Sequence, residues 1–310
     1  MKAVRYHRYG DSDVLTYEDT ERPVPEAGQV LVKVAGTSFN PVDVAIRAGY
    51  LREAFSLTLP HVPGFDVAGT ITEVGADVTG WETGTAVVAF LPLAAPGAAA
   101  EYVAAPAEVL AAAPRTVELA DAAALPAVGL TAWQSLFDHA DLQAGQTLLI
   151  NGAGGAVGGY AVQLAKQAGA LVTATASARS AERIHAYGAD QVIDYTTTSL
   201  PQAAGGRFDV VLNLVPTSDQ ETAALVGLVA DGGILVSATT PAPEDTTRKV
   251  RTAQVFARSN AAQLAELVAR VDTGDLKIHV ADRRPLSDLA TVHDLSATGR
   301  LAGKTILFPA

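Results

Sequence analysis

The stretch "NGAGGAVGGYAVQLAK", residues 151–166, places five glycines in its first nine positions and then turns helical. Glycine loses more backbone freedom on folding than any other residue, so this cluster marks a turn that something approaches closely. A glycine turn between a buried strand and a helix is where a dinucleotide pyrophosphate sits. The helix start offers unpaired N–H groups and the positive end of its dipole, and glycines let the phosphates reach them. The strict G-x-G-x-x-G spacing is not met, because Val157 stands where the third glycine would follow Gly152 and Gly154. Gly152, Gly155 and Gly158 instead recur at three-residue intervals, with Gly154 and Gly159 extra. The expected cradle comprises Gly152, Ala153, Gly155, Ala156, Val157 and Gly158.

A second group of residues chooses between cofactors. An Asp or Glu about 20 residues past the glycines would hold the ribose 2′-OH of NAD. This chain has Ser177, Ala178, Arg179 and Ser180 there, and the first acid is Glu182. Hydroxyls beside a guanidinium suit a 2′-phosphate, which calls for charge-assisted donors. The expected cofactor is NADPH.

These residues need a scaffold, and composition bounds it. The chain has 310 residues, 49% hydrophobic and 18% charged, enough for two domains with substantial cores. Its net charge of −11 argues against nucleic acid or an anionic membrane as partner. The absence of cysteine excludes disulfides, thiolate catalysis and Cys-ligated metal sites. The start "MKAVRYHRYGDSDV" has no apolar signal-peptide core, and no apolar run approaches spanning length. A soluble cytoplasmic protein is expected.

Up to about residue 115 the pattern is β-rich, with "QVLVKVAGTSF" and "VAGTITEVGADV" as half-buried strands between Gly and Pro punctuation. From Asp121, a candidate N-cap, the rhythm becomes helical. Strands "TLLIN", "LVTATASA", "QVIDY", "FDVVLNLV" and "GGILVSATT" then alternate with helices, which predicts a parallel doubly wound sheet. "KTILFP" returns as a strand to the first domain. The expected layout is a discontinuous β-rich domain over 1–120 and 257–310, and a nucleotide-binding domain over 121–256. The strand at 232–240 is expected at the sheet edge, where a second copy would cover it as a homodimer.

The whole chain resembles the zinc-independent quinone oxidoreductases, the zeta-crystallin-like family of the medium-chain dehydrogenase/reductase superfamily. The stretches that carry the likeness are "FNPVDVAIRAG" (39–49), "PHVPGFDVAGTITEVG" (60–75), "AALPAVGLTAWQSLF" (123–137), the glycine turn, "YGADQVIDY" (187–195) and "GRLAGKTIL" (299–307). The resemblance implies an α/β protein with a GroES-like β-rich catalytic domain, a Rossmann domain, and NADPH in the cleft between them. It places Tyr195 beside the 2′-phosphate, and Asn40 and Thr131 beside the nicotinamide. It also turns Asn213, Val215, Ala238 and Thr239 toward the cofactor. There are departures. The family's "GGVG" is Gly155-Ala156-Val157-Gly158, and its "Asp-x-Val-Gly" is Asn213-Leu214-Val215-Pro216. Of two tyrosines found near substrate in some relatives, one position is Ala45 and the other falls at Tyr50-Leu51.

Zinc-dependent relatives carry a cysteine where this chain has Asn40 and a histidine where it has Phe65, so no metal is expected. Without zinc, hydride transfer is expected to an acceptor that is already electron-poor, a quinone or an α,β-unsaturated carbonyl compound. The developing enolate needs a hydrogen-bond donor, for which Asn40, Thr131 and Tyr50 are the candidates. The alternatives are a dedicated enoyl or tailoring reductase acting on a larger, polyketide-like enone, and a non-catalytic NADPH-binding module. Asp43 and Arg47 read as a pair that fixes their loop, with direct catalysis as the alternative. Trp81 and Lys304 read as turn residues, and Glu182 and Arg183 as a charged helix face. The six histidines read as surface or packing residues, with His61 nearest to the expected substrate.

Overall fold

The computed structural model describes residues 1–54 and 56–309; residue 310, the end of the expected 257–310 segment, lies outside the described residues. The chain divides into two compact units, Met1–Ala127 with Ser259–Ala310, and Val128–Arg258.

In the first unit the long strand Gln29–Ser38 is the hub. It pairs antiparallel with Asp66–Val74, Tyr102–Pro106 and the carboxy-terminal Thr305–Phe308. Asp66–Val74 pairs on with Ala86–Phe90, and that strand with Leu110–Ala112. The pairing of Ile306 with Ser38 sews the chain's end onto the corner where Gln29–Ser38 meets helix Pro41–Arg47. Apolar residues from both ends of the sequence bury together here, among them Val4, Phe39, Leu289, Val292 and Leu307. Burying each such side chain stabilises the fold by roughly 1.5–3 kcal/mol, so this corner is held firmly.

The second unit is a six-stranded parallel sheet. Its order is Gln191–Asp194, Leu171–Ala176, Thr147–Asn151, Phe208–Asn213, Val229–Ser237, Arg251–Gln254. Numbered along the chain that order is 3-2-1-4-5-6, with the switch point beside Thr147–Asn151. The inner strands are continuous apolar runs such as Leu148–Ile150 and Val210–Leu212, because both faces of a parallel sheet are covered.

Two expectations are corrected. The strand expected at the edge lies inside the sheet: Val229–Ser237 pairs with Arg251–Gln254, and that last strand forms the edge. "RTAQ" is short and polar, with no alternation to betray it as a strand. Asp121 is not the cap of a long helix. A 3₁₀ segment Leu119–Ala124 stops before Pro126, and α-helix Pro126–Trp133 follows and passes into the π-helical turn Gln134–His139. Proline has no N–H to donate to the preceding turn, and its fixed φ suits the first position of a helix, so the α-helix begins at Pro126. Asp121 instead forms a bidentate ion pair with Arg283.

Candidate active site

The glycine turn follows strand Thr147–Asn151 and leads into helix Ala156–Gln167, whose N-cap is Gly155. Gly152 has φ +95°, a conformation closed to most side chains, and its N–H donates to Thr175 Oγ1 at 2.8 Å. Gly158 is needed for closeness: a Cβ there would lie 2.4 Å from the Cα of Ala153. Gly155 is different, because a Cβ would meet only the carbonyl of Gly152, at 3.4 Å. The turn is tightly packed below and open above, which is what a pyrophosphate cradle requires. Ala153 is fully buried under Gly158, so its side chain supports the turn from inside.

The next strand ends at Ala176, and Ser177 is the N-cap of helix Ala178–Ala186. Arg179 is exposed and makes no ion pair among the described residues. Ser180 is buried, its hydroxyl donates to the Ser177 carbonyl, and a Cβ on Gly154 would strike its Oγ at 2.4 Å. It therefore braces the glycine turn from inside, where the sequence had placed it on the cofactor. Arg183, read as part of a charged face, donates from Nη2 to the Gly154 carbonyl at 2.8 Å and lies over the Tyr187 ring. Helical spacing carries Arg179 and Arg183 along one side of the helix, a relation visible in the sequence. Tyr195, just beyond strand Gln191–Asp194, is 57% exposed.

The strand ends of this sheet are laced together by Asn213. Its Nδ2 donates to the Val215 carbonyl at 3.0 Å, and its Oδ1 accepts from Asn151 Nδ2 at 3.0 Å. Thr239 Oγ1 donates to the same Val215 carbonyl, and Ala238 N–H to the Asn213 carbonyl. Asn213, Val215, Ala238 and Thr239 thus converge at the carboxyl ends of neighbouring strands, where open α/β sheets bind ligands. Thr131, in helix Pro126–Trp133, is half-buried, and its carbonyl accepts from Ser135 Oγ.

A polar cluster of another kind lies inside the first unit. Asp66 is fully buried, and its carboxylate accepts from Ser38 Oγ at 2.5 Å, Asn40 Nδ2 at 2.9 Å and the Ala127 N–H at 2.7 Å. Lys304 Nζ stands 3.3 Å from Asp66 and donates to Asn40 Oδ1 at 2.8 Å and the Phe39 carbonyl at 3.3 Å. Burial pulls the Lys304 ammonium below its ordinary range, and Asp66 pulls it back up. Lys304 is no surface turn residue: strand Thr305–Phe308 carries it into the core. The Asn40 amide is likewise committed, with Nδ2 donating to the Ser38 carbonyl as well as to Asp66, so it has no spare donor for an enolate.

Asp43 does not pair with Arg47. Its Oδ2 accepts from the Asn40 N–H at 2.8 Å, which caps helix Pro41–Arg47. Burial pushes its pKa up to about 7, opposed by the Asn40 hydrogen bond. Arg47 is buried, with Nε and one terminal nitrogen unpartnered. Asp43 lines a narrow recess together with Tyr6, His61, Phe65, Pro92 and Leu93. Burial lowers the His61 pKa to about 4, so the ring is neutral near pH 7. Tyr50 is 81% exposed and makes no side-chain hydrogen bond among the described residues. Trp81 donates to the Ala107 carbonyl. Among the described residues, no group of three or more His, Cys, Asp or Glu side chains converges as a metal site would. None of the described helices is long and apolar enough to cross a membrane.

Comparison with known proteins covers the whole chain. Residues 26–115 match the alcohol dehydrogenase GroES-like domain, and residues 187–307 match the zinc-binding dehydrogenase family. A chloroplast envelope quinone oxidoreductase homolog of Arabidopsis thaliana is 34% identical over 100% of this chain and 98% of its own length. The chloroplastic NADPH-dependent alkenal/one oxidoreductase of the same plant is also 34% identical, over 100% of this chain and 80% of its own. The solved quinone oxidoreductase from Coxiella burnetii superposes with a TM-score of 0.90 at 30% identity, covering 100% of this chain and 99% of that one.

Proposed function

The chain belongs to the medium-chain dehydrogenase/reductase superfamily of NAD(P)-dependent oxidoreductases, and on that premise we propose a metal-free NADPH-dependent reductase of quinones or α,β-unsaturated carbonyl compounds. The observation that carries the cofactor choice is the corner after strand Leu171–Ala176. No carboxylate stands at the strand end, and Arg179 is exposed and makes no ion pair among the described residues, on the helix whose Ser180 and Arg183 pack against Gly154. The acceptor class rests on full-length relatives named as quinone and alkenal/one oxidoreductases.

In this reading the backbone N–H groups at Gly155–Gly158 take the pyrophosphate, and Ser177, Arg179 and Tyr195 surround the 2′-phosphate. Asn213, Val215, Ala238 and Thr239 form the rim that orients the nicotinamide. The bound cofactor supplies the hydride. The Thr131 hydroxyl is the hydrogen-bond donor for the oxygen that gains charge. Asn40 holds Lys304, Asp66 and the start of helix Pro41–Arg47 in register, a positioning role.

The test is a fluorescence titration with NADPH and NADH, followed by NADPH oxidation with 1,4-naphthoquinone and 2-cyclohexenone. Charge-assisted hydrogen bonds contribute roughly 1.5–3 kcal/mol, so Arg179→Ala is expected to weaken NADPH about 10- to 100-fold and leave NADH unchanged. Equal affinity for both nucleotides in the native protein would refute the cofactor assignment. Binding without turnover of either acceptor would refute the acceptor class.

A further inference from the structure

The carboxyl ends of the parallel strands carry a run of polar side chains whose directions are all forced. Gly152, the first glycine of the turn, donates its N–H to Thr175 Oγ1 at 2.8 Å. A main-chain N–H can only donate, so the Thr175 oxygen accepts here, and its own proton points on to Asn151 Oδ1 at 3.2 Å. Nδ2 is then the outward end of the Asn151 amide, and it donates to Asn213 Oδ1 at 3.0 Å. Asn213 Nδ2 in turn donates to the Val215 carbonyl at 3.0 Å, with Ser237 Oγ at 3.4 Å and Thr239 Oγ1 at 3.3 Å. The far end imposes the same polarity independently. The Val215 N–H lies 3.5 Å from Asn213 Oδ1, so that atom must be an acceptor.

The run crosses neighbouring strands of the sheet, from Leu171–Ala176 through Thr147–Asn151 to Phe208–Asn213 and the end of Val229–Ser237. Thr175 and Asn213 are each 1% exposed, so water does not replace a lost partner there. No link can be reversed by itself. Turning the Asn151 amide would set an N–H against the Thr175 proton, and turning Asn213 would set its oxygen against the Val215 carbonyl. The registered pairing of the strands ends at Asn151, Asn213 and Ser237, and Val215 and Thr239 lie beyond it. Side chains therefore hold the rim where main-chain pairing has stopped.

We propose that Thr175, Asn151 and Asn213 act as one unit of positioning residues for hydride transfer, holding the Val215 carbonyl and the Thr239 hydroxyl in fixed register with the glycine turn. The inference rests on the proposed reductase reading, in which the turn takes the pyrophosphate and the rim orients the nicotinamide. One cofactor molecule touches both places, and its reacting carbon is aligned only while their separation is fixed. Misplacement by about 1 Å costs roughly 100-fold in rate, so a loosened rim is felt in kcat even when the cofactor is fully bound.

The experiment measures kcat at saturating NADPH with 1,4-naphthoquinone and 2-cyclohexenone, and NADPH affinity separately by fluorescence. Thr175→Val removes the hydroxyl at nearly constant shape, and Asn213→Asp replaces the donor facing the Val215 carbonyl with an acceptor. Each is expected to lose about 10-fold in kcat, and Thr175→Ser, which keeps the hydroxyl, to stay within about twofold of the native protein. A chain already broken is not broken further, so the double variant should fall about as far as either single, whereas independent residues would multiply to about 100-fold. Native kcat in Thr175→Val, with only NADPH affinity changed, overturns the proposal, and so do multiplying losses. Should either variant fail to fold by circular dichroism, Asn151→Asp takes its place. Its second oxygen faces Asn213 Oδ1, so the same loss is expected, and native kcat there overturns the proposal. A native protein that binds NADPH and reduces neither acceptor refutes the reductase reading, and the inference falls with it; native turnover with unaffected variants refutes the inference alone.

Discussion

The glycine turn at 152–158 and the buried cluster around Lys304 are both polar constructions in apolar surroundings, made from different materials. The turn is backbone. Its donors are main-chain N–H groups, and its shape depends on which Cβ atoms are missing. The cluster is side chain: Ser38, Asn40, Asp66 and Lys304 satisfy one another across as many as 264 residues of sequence. A backbone site is robust to changes of charge and fragile to added volume. A side-chain cluster is the reverse, since removing one partner strands the others in a medium that solvates them poorly.

The largest effect is expected where a charge is stranded. Lys304→Met leaves Asp66 buried without its cation, and breaking a buried pair in this way costs about 3–5 kcal/mol. Urea denaturation of Lys304→Met and of the double variant with Asp66→Asn measures it, and the double should recover part of the loss. Additive losses would show that the two residues do not act as a pair.

Volume is the lever for the turn. Gly158→Ala drives a methyl group to 2.4 Å from Ala153, and overpacking of this kind costs roughly 1–3 kcal/mol. Gly155→Ala has only a 3.4 Å neighbour, so its melting temperature is expected to stay unchanged while NADPH affinity falls as the methyl enters the phosphate space. Thermal melts with and without NADPH separate the two. If Gly155→Ala binds NADPH normally, the open side of the turn is not the phosphate site.

The smallest expected effect is a slope. His61 and His293 have folded pKa values near 4 and 3, below the unfolded value of about 6.5. The unfolded chain binds their protons first, so their contribution is complete above about pH 6.5 and is lost as pH falls through the folded values. Asp43 acts in the opposite sense. Its raised pKa adds stability below about pH 4 that is lost as pH rises through about 7. Each group contributes at most about 1.4 kcal/mol per pH unit. His293→Phe should flatten the decline in stability between pH 6 and 4, and Asp43→Asn should steepen it. Identical slopes in all three proteins would contradict the burial assigned to these side chains.

The second unit was largely legible before its structure was known. Alternating strands and helices, a glycine turn and Arg179 lie close along the chain, and parallel sheets leave continuous apolar runs. What escaped was the polar edge strand Arg251–Gln254, which has no pattern, and the inward turn of Ser180 and Arg183, which helical phase alone decides. The first unit was legible in outline only. "FNPVD" and "GK" are both visible, but nothing local says that they meet.

The sequence by itself determined the alternation of strands and helices, the glycine turn and the absence of cysteine ligands, because each depends on residues near one another or on composition. Only the tertiary structure decided that Lys304 is a core cation, that the Asn40 amide is already spoken for, and that Asp43 is an uncompensated carboxyl. Burial and partnership set the charge state of an ionisable group, and both are made by strands distant in sequence: Ile306 pairs with Ser38, and the carboxy-terminal strand brings Lys304 to Asp66.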